Sequence, residues 1–207
     1  MSLLRLDAFR DTPLVREPYE HVIVPGFVAT AALTAAERDF PAIEEPGSFP
    51  LDDLDYGAGF DALIAALRGE DVARAFAEKF AVDLTDRPTM VTVRGRCHQK
   101  DGRIHTDSKD KIITVLVYMN GPWDEAGGRL RLLRSARDIE DYAVEVPPIA
   151  GTLLAFLRSA RSFHGHRPFI GRRRVIQLNW VTGADVARRE RIRHGISAWF
   201  KRRRRSA

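Results

Sequence analysis

The hydrophobic pattern changes rhythm near residue 88. Upstream, apolar residues recur at helical spacing: Thr30 stands where it can cap a helix running to about Phe40, and 61–67 and 71–80 repeat the pattern on either side of Arg68-Gly69-Glu70. A short strand at 21–24 precedes the Pro25-Gly26 turn, and 46–60 reads as loop. Downstream, the pattern breaks into short β-rich runs bounded by turn residues: TMVTVRG, IITVLVYMN, GRLRLLR, YAVEV, GTLLAFL and RRVIQLNWV, with a further strand at SFHGH. So many strands at such short intervals predict a sandwich or barrel. In IITVLVYM both residue parities are largely apolar, so that strand is expected to be covered on both faces.

The expected fold is therefore mainly β with flanking helices: an antiparallel double-stranded β-helix, or jelly roll, with helices packed outside it. One structural domain accommodates the chain, with 1–88 supplying a strand and helices, 89–183 the β core, and 184–207 a basic C-terminal helix and tail. The composition, 44% hydrophobic and 29% charged, excludes collagen, low complexity and wholesale disorder. The longest uncharged apolar run, 112–119, is far short of the roughly 20 residues that span a bilayer, so no transmembrane helix is expected. The first 20 residues mix acids and bases without an apolar h-region, and Cys97 is the only cysteine, which rules out an intrachain disulfide. Both features predict a cytoplasmic setting.

The net charge of +5 is unevenly placed. Residues 188–205 hold nine of the 33 basic residues and one of the 28 acids, leaving the rest of the chain at −3. The basic character belongs to the tail, and nucleic acid is not the expected partner of the body. Ile192, Ile196, Trp199 and Phe200 lie at helical spacing among the tail arginines. This reads as a helix packed on the barrel, or as an element making peripheral contact with anionic membrane or another polyanion.

Two segments carry chemistry. In His105-Thr106-Asp107 the first and third residues project from one face of an extended backbone and can share a metal ion, although a solvated turn has the same sequence. Further on, Arg174, Ile176, Leu178 and Trp180 share one face of the last strand, which looks core-facing. Arg174 on an apolar face needs an anion, either a structural carboxylate or a small acid ligand gripped by its planar fork.

With these residues the chain resembles the iron(II)- and 2-oxoglutarate-dependent oxygenases, in the branch that includes the prolyl 4-hydroxylases. The likeness spans about 89–183 and rests on motifs in order: His105-Thr106-Asp107, Tyr118-Met119-Asn120, Gly127-Gly128, Pro148-Ile149-Ala150-Gly151, then His164, Pro168, Arg174 and Trp180 at the family's offsets. The resemblance implies that His105, Asp107 and His164 bind Fe(II), and that Arg174 and Tyr118 hold the distal carboxylate of 2-oxoglutarate. It also implies O₂ as oxidant and ascorbate as a further candidate cofactor. Two imidazoles and a carboxylate on one side of iron leave three positions for the keto-acid chelate and O₂.

One family tyrosine, a short way before the His-x-Asp, is missing. Arg96-Cys97-His98-Gln99 stands in its place, which leaves the substrate wall open and His98 as a pocket candidate. His166 shares parity with His164 and competes with it as third ligand, but the offsets to Pro168 and Arg174 favour His164. A hairpin reversing around Phe169 would place His164 opposite Arg174. Lys100, Arg103, Lys109, Lys111, Arg129 and Arg131 read either as a positive mouth or as a solvated face. The resulting reading is an Fe(II)/2-oxoglutarate dioxygenase hydroxylating an unidentified protein residue, prolyl or other, or a small molecule, with release of succinate and CO₂. Its competitors are an oxidative nucleic-acid dealkylase of the same chemistry and a non-catalytic cupin-like binding barrel.

Overall fold

The computed structural model describes residues 2–185. It is built from strands β1 (His21–Val24), β2 (Phe49–Pro50), β3 (Thr89–Cys97), β4 (Lys111–Tyr118), β5 (Leu130–Leu133), β6 (Tyr142–Val146), β7 (Leu153–Leu157), β8 (His164–Gly165) and β9 (Gly171–Val181). Four helices accompany them: α1 (Leu6–Asp11), α2 (Thr30–Arg38), α3 (Ala58–Leu67) and α4 (Glu70–Phe80). The expected basic helix and tail lie, from residue 186 onward, outside the described residues. Among the described residues no helix is long and apolar enough to cross a membrane.

Every strand pairing between named strands is antiparallel. One sheet runs β1-β7-β4-β9-β3-β2 and the other β6-β5-β8. The two face each other as a jelly roll, which bears out the expected fold class. The strands form two sheets rather than one continuous hydrogen-bonded ring.

Strand parity explains both cores. Ile113, Val115 and Val117 of β4 and Ile176, Leu178 and Trp180 of β9 point to the helices, where they pack with Phe9, Phe60 and Phe76. The opposite parity, including Leu116, Tyr118, Leu154, Phe156 and Val175, meets Leu130 and Leu132 of the smaller sheet. The large sheet is thus buried on both faces, as the doubly apolar β4 predicts.

Local chemistry departs from the sequence reading in two places. Thr30 is the first residue of α2 rather than its cap. Ala29 occupies the N-cap, and no side-chain capping bond forms there. The segment read as loop holds β2 and a 3₁₀ turn at Leu51–Asp53, because Phe49 and Pro50 pair with Val93 and Thr92 of β3.

Candidate metal centre

His105 and His164 are brought together by the backbone itself. The His105 amide donates to the His164 carbonyl (3.0 Å) and the His164 amide to the His105 carbonyl (2.9 Å), so the two residues stand directly opposite across an antiparallel bridge. Asp107 lies two residues beyond His105 and therefore returns to the same side. One ligand atom from each of His105, Asp107 and His164 falls within 4.8 Å of the others. The tautomers follow from the neighbours. Nδ1 of His105 lies 2.8 Å from the Arg103 carbonyl and Nδ1 of His164 3.0 Å from that of Ser162. A carbonyl only accepts, so each Nδ1 carries the proton and each Nε2 presents a lone pair, the state a metal requires.

Electrostatics agree with that state. Burial pushes His164 down to about 4, partly opposed by Asp107, so its ring is neutral near neutral pH. Burial also works against ionisation of Asp107, but Lys111, His164 and Thr114 outweigh it and bring its carboxyl to about 2. The carboxylate is fixed at both oxygens: Lys111 Nζ donates to Oδ1 (2.8 Å) and Thr114 Oγ1 to Oδ2 (2.5 Å). Asn179 Nδ2 in turn donates to Thr114 Oγ1 (2.8 Å), and Gln177 Nε2 to Asn179 Oδ1 (3.0 Å). Of these supporting residues, Thr114, Asn179 and Gln177 escaped the sequence reading as parts of the site. The available signal was polar side chains at alternate positions of otherwise apolar strands.

Behind the triad a cavity of about 130 Å³ opens between the sheets. Here the structure corrects the arginine. Arg174 is on the opposite face of β9, its guanidinium 4.5 Å over the Phe40 ring in an outer groove beside α2. Arg173 enters the cavity instead and is only 5% exposed. The physical reason is that both faces of β9 are buried. The apolar set containing Ile176 does face a core, but it is the helical core and not the jelly-roll interior.

Arg173 Nε donates to the Gly128 carbonyl (2.7 Å), while its Nη2 has no hydrogen-bond partner. The Tyr118 hydroxyl, also buried, has none either. Burial pushes this phenol up to about 12, against the pull of Arg173, whose guanidinium carbon lies 5.6 Å from the Tyr118 ring centre. A buried donor without an acceptor costs on the order of 1–3 kcal/mol. Arg173 lines the cavity and Tyr118 lies beside it, so two buried groups without partners stand together behind the His105, Asp107 and His164 cluster.

The remaining motif residues shape this part of the cavity. Asn120 clamps β9 at Arg174 by accepting from its amide (2.6 Å) and donating to its carbonyl (3.0 Å), which turns the preceding Arg173 inward. Gly128, at φ +76°, presents the carbonyl that holds Arg173, and a side chain at Gly127 would collide with the Pro168 carbonyl.

The expected hairpin around Phe169 does not form, because β8 pairs with β5 of the smaller sheet and β9 belongs to the larger one. His164 therefore lies across from Leu132, not Arg174. His166 lines the cavity but is absent from the ligand cluster, its Nδ1 directed to the Arg167 carbonyl (2.8 Å). His98 is exposed and outside the cavity lining. Of the expected positive mouth only Lys111 reaches the site. Arg131 and Arg129 pair with Glu145, and Lys100, Arg103 and Lys109 are exposed.

Residues 93–182 match the family described as the 2OG-Fe(II) oxygenase superfamily. Among curated proteins no sequence matches significantly. Among solved structures the chain is similar to a Pseudomonas putida prolyl-4-hydroxylase, at 16% identity and TM-score 0.55, over 86% of this chain and 93% of that one. It is similar as well to a viral collagen prolyl hydroxylase from Paramecium Bursaria Chlorella virus-1 in its 2OG complex, at 15% identity and TM-score 0.55, over 81% and 99%. A prolyl 4-hydroxylase from Phytophthora capsici follows at 18% and 0.52, over 88% and 62%. At such identities the likeness establishes the fold.

Proposed function

We propose that this chain, whose residues 93–182 match the 2OG-Fe(II) oxygenase superfamily, belongs to that superfamily and hydroxylates a C–H bond of a second substrate while 2-oxoglutarate and O₂ become succinate and CO₂. His105, Asp107 and His164 would hold Fe(II), and Arg173 with Tyr118 would hold the distal carboxylate of 2-oxoglutarate. The donor set fits: two neutral imidazoles and a carboxylate are the ligands of non-haem iron oxygenases. The observation that carries the reading is the pair of orphaned buried groups, Tyr118 Oη and Arg173 Nη2, set behind the triad. When bound, iron supplies the oxidising power that O₂ activation and C–H cleavage need.

The protein's own share is placement. Arg173 and Tyr118 would fix one end of the diacid by charge-assisted hydrogen bonds in a buried pocket, which aims its keto-acid end at the triad. Leu116, Leu130 and Val175 line the intervening wall and keep water from it. Thr114 and Lys111 hold Asp107 in one rotamer, so the ligand set is organised before metal arrives.

Anaerobic addition of 2-oxoglutarate to the Fe(II)-loaded protein should produce the visible charge-transfer absorption of a keto-acid chelate. Admitting O₂ should then yield succinate even without a second substrate. A protein that binds Fe(II) but gives neither absorption nor succinate would be a binding barrel.

A further inference from the structure

The inner cavity opens into a second chamber of about 330 Å³, and the two share the wall formed by Ser48, Thr92, Arg94, His105, Asp107 and Gln177. The inner volume suits one small diacid, so the second substrate is left to the outer chamber. Its lining says what that substrate is. Among the described residues no aromatic ring lines the chamber apart from the His105 imidazole, so nothing there offers a flat face to a pyrrolidine ring or a nucleobase. Met90 is its one large apolar side chain.

The rest is polar and incompletely engaged. The hydroxyls of Thr92, Thr106 and Ser108 make no hydrogen bond within the described residues, nor does the Gln177 side-chain carbonyl. The Lys111 ammonium uses one of its three donors, on Asp107. Charge points the same way. The Arg94 guanidinium is paired with Asp101 at 2.8 Å and donates to Ser48 (3.2 Å), and Lys111 is paired with Asp107. With Fe(II) and the 2-oxoglutarate dianion in place their charges cancel, both ion pairs cancel, and the charge of Arg173 remains. Arg158 lies outside both linings, donating to the Asp107 carbonyl (3.2 Å) from behind. A partly enclosed site left with excess positive charge favours a ligand that brings a negative one.

We propose that the outer chamber takes a small hydroxyl-bearing anion of the sugar-acid class as the substrate to be hydroxylated, its acid group held by Lys111 and Arg94. Its hydroxyls meet Thr92, Ser108 and Gln177. This rests on the oxygenase reading above and separates the chain from the prolyl specificity named for its structural neighbours.

The test uses the anaerobic Fe(II)- and 2-oxoglutarate-loaded protein and three probes: methyl β-D-glucuronoside, its uncharged partner methyl β-D-glucoside, and a Pro-Pro-Gly repeat peptide. Occupancy of the outer chamber is read as a change in the charge-transfer absorption. The glucuronoside should act at a concentration about tenfold or more below the glucoside, the difference of one charge contact of about 1.4 kcal/mol. The peptide should have no effect. Arg94→Gln should erase the preference for the acid, with the absorption itself reporting an intact metal site, because Arg94 pairs with Asp101 and Ser48 and not with the metal-ligand cluster. Equal action of the two glycosides, silence of both at millimolar concentration, or a stronger response to the peptide would overturn the proposal. Failure of the absorption to form in the parent protein would instead overturn the oxygenase reading beneath it.

Discussion

Two adjacent arginines, Arg173 and Arg174, have opposite fates because consecutive residues of a strand face opposite ways. Only Arg173 lies beside Tyr118, whose buried hydroxyl has no hydrogen-bond partner among the described residues. Arg173→Gln should raise the 2-oxoglutarate requirement roughly 30-fold, since hydrogen bonds to a charged group are worth about 2 kcal/mol. Arg174→Gln should leave it within about twofold, as expected for substitution of a partly exposed residue outside the cavity. Titrating the charge-transfer absorption against 2-oxoglutarate separates the two, and equal effects would return the role to Arg174. The histidines divide similarly. His164→Ala should abolish that absorption, and His166→Ala should retain it, because His166 lines the cavity without joining the ligand cluster. Loss of the absorption in both variants would implicate His166 in the metal site.

At the scale of elements, the orientation of the Asp107 carboxylate depends on the pairing of β4 with β9. Asn179 faces Thr114 in the register and reaches Asp107 through it. Thr114→Val keeps the shape and removes the relay. It should weaken Fe(II) binding about 10- to 100-fold, as loss of a group supporting a metal ligand does, and destabilise the apo protein by about 1–3 kcal/mol through two buried polar groups left without a partner. Metal titration and urea denaturation of the same variant read the two effects, and unchanged metal affinity would show that Lys111 alone orients Asp107. Gly95 in β3 sets a tighter limit. A Cβ there would lie 2.6 Å from both Cβ and the carbonyl oxygen of Ile43. Gly95→Ala should therefore cost about 1–3 kcal/mol from forced backbone shifts, seen as a lower urea midpoint.

Across the whole molecule, the large sheet separates a helix-side core that provides stability from an interior that provides the site. Trp180 belongs to the first, with its ring 5.1 Å from Phe76 and 2% exposed. Trp180→Ala should destabilise by about 3–5 kcal/mol, yet leave 2-oxoglutarate affinity unchanged wherever the protein remains folded. A parallel loss of affinity would mean that the two cores are mechanically coupled. The sequence by itself determined β1 and the strand series from β3 onward, the consecutive helices α3 and α4, and the short-range geometry of His105 and Asp107, because these depend on local period and on spacing within one extended segment. It also singled out His164, which the structure brings beside His105 and Asp107, through motif offsets. The entry of Arg173 into the cavity, the engagement of Thr114, Asn179 and Lys111, and the placement of β8 in the smaller sheet were decided only by tertiary structure. A strand that is apolar on both faces does not say which face meets the helices and which the cavity. A hairpin read from spacing alone does not say that its two arms join different sheets.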